Sequence, residues 1–499
     1  MDLFPWLFYL IFITENFSVK KIFIFTFLNF CIWFASRAQS PDVMKADGKK
    51  ISVAYIDSLI KKLMDTAGVT GLELGIINNN HIAYLKGYGY KNKEKKELND
   101  TATCFYAASL AKSLFAYLVM QLVDEGKIDL DKPLYIYLPK PLPEYENYKD
   151  LAGDDQWKLI TARNCLDHTT GFPNWRQFNP KDNKKLEIFF KPGSRYAYSG
   201  EGIYLLQMVV EVITARSLES LAQEKIFKPL GMYRTSFVWQ PSFESDYAVG
   251  HDMNEDILPK RKSGKMNAAG SMETTIADYS RFYEAVLQRK NLSVKSWQEM
   301  LSPQIGIYSK GQFPSLRNDT TSENNFIQLS YGLGWGLFKT PFGKAFFKEG
   351  HDDGWGHYTI GLPEKGTAVL LMTNSSSGES IFKELVEKIA GVNIPWIWEN
   401  YIPYRANMKV PDSVLQQYTG TYDGKIKAIV TLENGQLKVT SADLPKSNLY
   451  AGNDHHFYLK VMDAEVDFRK DAAGKVIIAA VDDEGEHYEL LKVQAAGNK

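Results

Sequence analysis

Between residues 52 and 67 the apolar side chains Ile56, Leu59, Ile60, Leu63 and Met64 recur at steps of one, three and four, which gathers them on one face of a helix. The period then changes. Residues 72–77 and 81–88 read as two strands joined through Asn78-Asn79-Asn80, a hairpin. A second long helix is expected from about Ser109, with Leu110, Leu114, Leu118, Val119 and Leu122 turned inward and Gly126 as its stop. The stretch 140–300 reads as mostly helical with loops, its clearest helices at 201–215 and 277–288. Strand character returns at 326–338 and from Ala345 onward. Residues 366–373 form a continuous apolar strand, and 380–390 a closing helix. This order suits an α+β domain spanning 39–394: an antiparallel sheet flanked by helices, with an inserted helical subdomain.

Beyond Ile394 the pattern changes again. Pro395, Pro403 and Pro411 punctuate an aromatic-rich linker over 395–412. Short alternating runs follow, with turns at Asp423-Gly424, Asn434-Gly435, Gly474 and Gly485. Asn-Gly between Ile429 and Thr431 on one side and Leu437 and Val439 on the other is a strong hairpin signal. Residues 413–499 are therefore expected to be a small, barrel-like β domain.

The two apolar runs at the beginning, 3–13 and 22–34, are each shorter than the ~20 residues of a spanning helix. Lys20-Lys21, the second run and Ala35-Ser36-Arg37-Ala38 have the parts of a secretory signal over 1–38, cut after Ala38. On that reading the first run is a misplaced start and the protein is exported, to the periplasm or beyond. An anchor made of both runs is the alternative. Cleavage would leave Cys104 and Cys165, as one bridge or as two buried thiols. With 58 basic against 59 acidic residues, no global field steers the chain to nucleic acid or an anionic membrane. The chain has no His-Glu-x-x-His, paired Cys-x-x-Cys or phosphate-binding glycine loop, and the adjacent His455 and His456 would face opposite sides of a strand. No metal or cofactor is expected.

The chemistry is concentrated in Tyr106-Ala107-Ala108-Ser109-Leu110-Ala111-Lys112. Positions three apart share a helix face, so Ser109 and Lys112 can meet. A helix N-terminus favours a serine alkoxide and disfavours a charged lysine, and burial disfavours that charge further. A neutral Lys112 could then take the hydroxyl proton. Simple capping by Ser109 is the bland alternative, but a capping box wants Glu or Gln where Lys112 stands.

These residues, with several later segments, resemble the class C β-lactamase and penicillin-binding-protein superfamily, which includes esterases and D-aminopeptidases. The likeness runs over about 52–390. Leu166-Asp167-His168-Thr169-Thr170-Gly171 is similar to its His-Thr-Ser-Gly loop, Tyr198-Ser199-Gly200 to its Tyr-x-Asn segment, and Ala268-Ala269-Gly270-Ser271 and Gly350-His351-Asp352-Asp353-Gly354 to two later ones. The resemblance implies a serine nucleophile at Ser109, with Lys112 and Tyr198 relaying its proton. It puts His351 first in the third motif, usually Lys-Thr-Gly or His-x-Gly, with His357 as a competitor on the same strand, and makes an oxyanion hole of the Ser109 and Gly354 N–H groups. His168 reads as structural.

Two departures concern substrate binding. Gly200 stands where asparagine would hold a substrate amide, and Asp353 where a small residue lets the substrate approach. Both point toward a peptidase or esterase acting on a small or peptide substrate, cell-wall-derived in one version. The alternatives are a β-lactamase or D,D-carboxypeptidase proper, and an inactive module that binds cell-wall peptides. The β domain of residues 413–499 resembles the lipocalin-like tails of some exported members, which implies an accessory or packing role. The sequence leaves the oligomeric state open.

Overall fold

The computed structural model describes residues 42–493 except 406, 443, 463, 483 and 484; the expected signal peptide lies outside the described residues. The amphipathic pattern after Ser52 becomes helix α1 (Val53–Ala67), whose first turn is capped by the Ser52 hydroxyl accepting from the Tyr55 N–H. It ends at Gly68, whose φ of 67° suits a residue without Cβ. The hairpin follows as β1 (Gly71–Asn78) and β2 (His81–Asn92). Next come helices α2 (Leu110–Asp124), α3 (Gly200–Thr214) and α4 (Ile276–Leu287). The later strands are β3 (Gly336–Thr340), β4 (Gly343–Asp352), β5 (Trp355–Leu362) and β6 (Thr367–Thr373), closed by α5 (Phe382–Ile389).

These strands form a nine-stranded sheet in which β2, β1, β6, β5, β4 and β3 lie side by side, antiparallel throughout. The run in β6 is continuously apolar because both of its faces are covered. Ala368, Leu370 and Met372 join a core with α2 and α4, while Val369 and Leu371 join a second core with α1 and α5. The strand expected over 326–338 is broken into Ser330–Tyr331 and β3. Between them Gly334 takes a φ of 83°, and a Cβ there would lie 2.3 Å from that of Ala116, so α2 packs too closely for any side chain. The insert is also less helical than expected: 3-10 turns such as Glu146–Leu151 and Asp155–Leu159 replace longer helices. Cys104 and Cys165 are buried free thiols.

The β4–β3 pairing matters most for the site. It runs from Gly343 to Phe347 only, so Lys348 to Asp352 has β5 on one side and an open edge on the other. The C-terminal strands, from Gly420–Gly424 to His487–Val493, close into an eight-stranded barrel around Val430, Leu437, Leu449, Phe457, Phe468 and Leu490. The barrel docks on the loop before residue 257: the Asn448 N–H donates to Asn254 Oδ1 at 2.9 Å and the Tyr450 hydroxyl to the Met253 carbonyl at 2.8 Å.

Candidate active site

The short strand Phe105–Tyr106, paired with Glu273–Thr274, delivers the chain to α2 through a tight corner. Ala108 takes a φ of 45° there, a left-handed conformation that an alanine adopts only under constraint. Ser109 follows, half-buried, and makes no capping bond to α2. Its Oγ instead lies 2.8 Å from Lys112 Nζ, which removes the simple capping explanation. Lys112 Nζ also donates to the Ala269 carbonyl at 2.5 Å. Burial holds this amine well below the usual lysine range, and the neighbouring charge of Lys348 pushes the same way against the smaller pull of Glu349.

Tyr198 sits just ahead of α3, whose N-terminus is capped by Ser199. Its phenol accepts from Lys348 Nζ at 3.2 Å, and its ring centre lies 5.1 Å from Lys112 Nζ. Burial raises its pKa, so the group is a protonated phenol at neutral pH. The serine hydroxyl, the Lys112 amine and the Tyr198 ring thus lie in one cluster. His168 lies beneath, its ring 4.2 Å from that of Tyr198. Its Nδ1 accepts the Ser199 N–H, and burial keeps it uncharged. That fits a support for Tyr198.

The third motif is elsewhere than expected. Successive strand residues face opposite sides. A Cβ on Gly350 would lie 2.9 Å from the Ala107 carbonyl, so Gly350 and Lys348 face the nucleophile. His351 therefore faces away, and its Nδ1 lies 2.8 Å from Glu379 Oε1. The imidazole of His351 is not part of the cluster. The side chain that reaches Tyr198 is Lys348, three residues earlier, and the motif is Lys348-Glu349-Gly350. Lys348 Nζ is paired with Glu349 Oε1 at 2.8 Å, and Glu349 also accepts from Gln312 at 2.7 Å. Burial alone would discharge Lys348; the Glu349 carboxylate and the Tyr198 phenol together outweigh it and raise the pKa.

Gly354 cannot serve as expected either. It occupies the β4–β5 turn with a φ of 80°, and its N–H is committed to Ser376 Oγ at 2.8 Å. Asp353, in the same turn, is exposed and folds its N–H back onto Asp352, so it lines no substrate path to Ser109. The turn has two residues, which makes Asp352 and Trp355 a hydrogen-bonded pair. By alternation His351 turns its N–H and carbonyl toward the open edge. His357, the competitor, is structural: its Nε2–H donates to the Tyr106 carbonyl at 2.8 Å and its Nδ1 accepts from Thr373. Burial drives its pKa down to about 4.

Gly200 lies at the site, and a side chain there has no room. A Cβ would stand 2.6 Å from the Trp175 indole. Trp175 escaped the sequence reading because nothing in its local pattern links it to a residue 25 positions on. Lys348 did carry a signal, the Lys-x-Gly spacing, masked by the glutamate between and the histidine after. Among the described residues no group of three or more His, Cys, Asp and Glu could hold a metal ion.

A buried serine–amine–phenol cluster at the head of a helix, beside an open strand edge, defines a serine hydrolase. The β-lactamase family model matches residues 56–393. The chain is 26% identical over 280 residues to the putative penicillin-binding protein PbpX of Bacillus subtilis, covering 53% of this chain and 68% of that one. It is 30% identical over 227 residues to a putative D-alanyl-D-alanine carboxypeptidase of Salmonella agona, spanning 40% of this chain and half of that protein's length. Among solved structures, the octameric penicillin-binding protein homologue from Pyrococcus abyssi aligns with a TM-score of 0.57 at 22% identity, covering 89% of this chain and 100% of that one. The chain belongs to the β-lactamase family.

Proposed function

We propose that this protein is an exported hydrolase that cleaves an amide or ester of peptidase or esterase type through an acyl-enzyme on Ser109. The observation that carries this reading is the 2.8 Å approach of Ser109 Oγ to a lysine whose charge burial suppresses. Ser109 Oγ attacks the substrate carbonyl, forming the new C–O bond, and its proton passes to Lys112 Nζ. The N–H groups of Ser109 and His351, one at the head of α2 and one on the open edge, hold the developing oxyanion; each such donor is worth ~3 kcal/mol. As the intermediate collapses, the bond to the leaving group breaks. The leaving amine or alkoxide takes a proton from the Tyr198 phenol, which is resupplied from Lys112. Water then attacks the ester, gives its proton to the same pair, and releases the acid and the Ser109 hydroxyl.

Gly200 and the indole beside it favour a peptidase or esterase over a β-lactam hydrolase. The carboxypeptidase name of the Salmonella relative keeps D,D-carboxypeptidase as a second reading. The test is a fluorophosphonate label together with a panel of nitrocefin, p-nitrophenyl esters and D-amino-acid amides. Labelling and turnover of at least one ester or amide are expected, with nitrocefin slow. Ser109→Ala abolishes labelling and cuts turnover by ~10^4-fold or more. An unlabelled, inert wild type would mean a binding module instead.

A further inference from the structure

The rim beside the nucleophile is aromatic where a polar contact to substrate would otherwise sit. Trp175 is half-buried. Its ring atoms stand 2.6 to 2.9 Å from the place where a Cβ on Gly200 would be, and its ring centre is 5.9 Å from Lys112 Nζ. Phe313, 38% exposed, meets the Tyr198 ring edge-on with centres 5.6 Å apart. Several polar groups around these two rings are already engaged. Asn174 Oδ1 accepts the Gly200 N–H at 3.1 Å. Arg176 is paired with Glu201 at 2.8 Å, and Gln312 donates to Glu349.

A substrate group reaching over Lys112 therefore meets chiefly the flat apolar faces of Trp175 and Phe313. We propose that Trp175, with Phe313, is the specificity-determining wall for the acyl half of the substrate, and that it selects an apolar or aromatic acyl group. Examples of the class are an arylacyl ester, or an amide whose acyl residue carries an aromatic side chain. An aromatic group packed on such a wall gains area burial and ring–ring contact. A group needing hydrogen bonds from its own amide is left unsatisfied there. The Gly200 glycine follows from the same arrangement, because the indole occupies the space of a side chain at that position.

This inference rests on the acyl-enzyme reading above, and the experiment separates the two. p-Nitrophenyl acetate and p-nitrophenyl phenylacetate are compared on wild type, Ser109→Ala, Trp175→Ala and Trp175→Phe, with fluorophosphonate labelling of the Trp175 variants reporting an assembled site. The wild type is expected to prefer phenylacetyl in kcat/KM. Trp175→Ala should cut that preference by ~10-fold or more, within the range that apolar pocket contacts supply. Trp175→Phe, which restores a ring, should keep most of it. The double variant Trp175→Ala/Gly200→Asn, which exchanges the plate for an amide, should shift preference toward acyl groups bearing an amide. Turnover that depends on Ser109 but with a phenylacetyl-to-acetyl ratio equal in wild type and Trp175→Ala overturns the assignment of Trp175 alone. Loss of Ser109 dependence would overturn the acyl-enzyme reading, and this one with it.

Discussion

The head of α2 and the open edge of β4 each bring one lysine to Tyr198, and the two lysines end in opposite states. Lys112 and Lys348 are 1% and 0% exposed, and each Nζ lies 5.1 Å from the Tyr198 ring centre. Desolvation is the largest influence on both. Yet the Lys112 pKa falls and the Lys348 pKa rises. The difference lies in the partners: Lys348 is bonded to the Glu349 carboxylate and to the Tyr198 phenol, whereas Lys112 has a serine hydroxyl and a backbone carbonyl. Burial alone does not decide whether an amine is a base or a fixed cation; the groups at hydrogen-bonding distance do.

The sharpest way to break this pair is to remove the base. Lys112→Met keeps the volume and loses the amine, and should lower kcat/KM by ~10^3-fold, within the range for a positioned general base. Lys112 works unprotonated, so in the wild type activity should fall on acidification through its depressed pKa, and that acid limb should vanish from the residual activity of the variant. A pH profile with the same acid limb in both proteins would assign the base elsewhere.

Next comes the carboxylate. Glu349→Gln leaves Lys348 buried beside Tyr198 without its counter-charge, and removing one partner of a buried pair typically costs ~3–5 kcal/mol of stability. A drop in Tm is therefore expected. A loss of stability could follow from packing alone, so the pH profile is the discriminating measurement. Without Glu349 the Lys348 ammonium gives up its proton at lower pH, so the alkaline limb of kcat/KM should move down, with ~10-fold loss near neutrality if the cation supports the site as a general electrostatic contact. An alkaline limb that stays in place would mean that Lys348 plays no part in the protonation state on which activity depends.

What the sequence made legible divides along the same line. Ser109 and Lys112 lie on one turn of one helix, and helical spacing alone brings them together. Tyr198 comes from a distant segment and was reachable only through a motif; there the resemblance was specific enough. The third motif was placed wrongly because Lys348-Glu349-Gly350 puts a bulky acid between lysine and glycine, while His351-Asp352-Asp353-Gly354, three places on, resembles a His-x-Gly motif. Strand alternation resolves it: Gly350 faces Ala107, so His351 cannot. The oxyanion donor proposed here moves with it, from Gly354 to His351, since the turn that holds Gly354 spends its N–H on Ser376. The sheet, its helices and the β barrel were readable from period and turn chemistry. The over-long strand at 326–338 was not, because the close approach of Ala116 to Gly334 is a tertiary constraint that no local pattern records. Trp175 belongs to the same class of information.

The smallest expected effect tests the orientation of the open edge. His351 contributes its backbone to the edge but turns its imidazole to Glu379, which raises its pKa to about 9. A pKa raised in the folded state means that the pair's stabilising contribution is fully present below the ordinary histidine value of 6.5 and is lost as pH rises through about 9. The imidazole is more than half exposed, so the contribution is modest. Glu379→Gln should therefore lower Tm relative to wild type at pH 6, with the gap closing by pH 10. Because the imidazole faces away from Ser109, kcat/KM should change by no more than ~3-fold, the scale of a screened surface pair, and only through looser support of the β4–β5 turn. The activity result carries the weight. If Glu379→Gln cost as much as Lys112→Met, the imidazole would belong among the reacting groups, and the contrast between two lysines would have to become one among three bases.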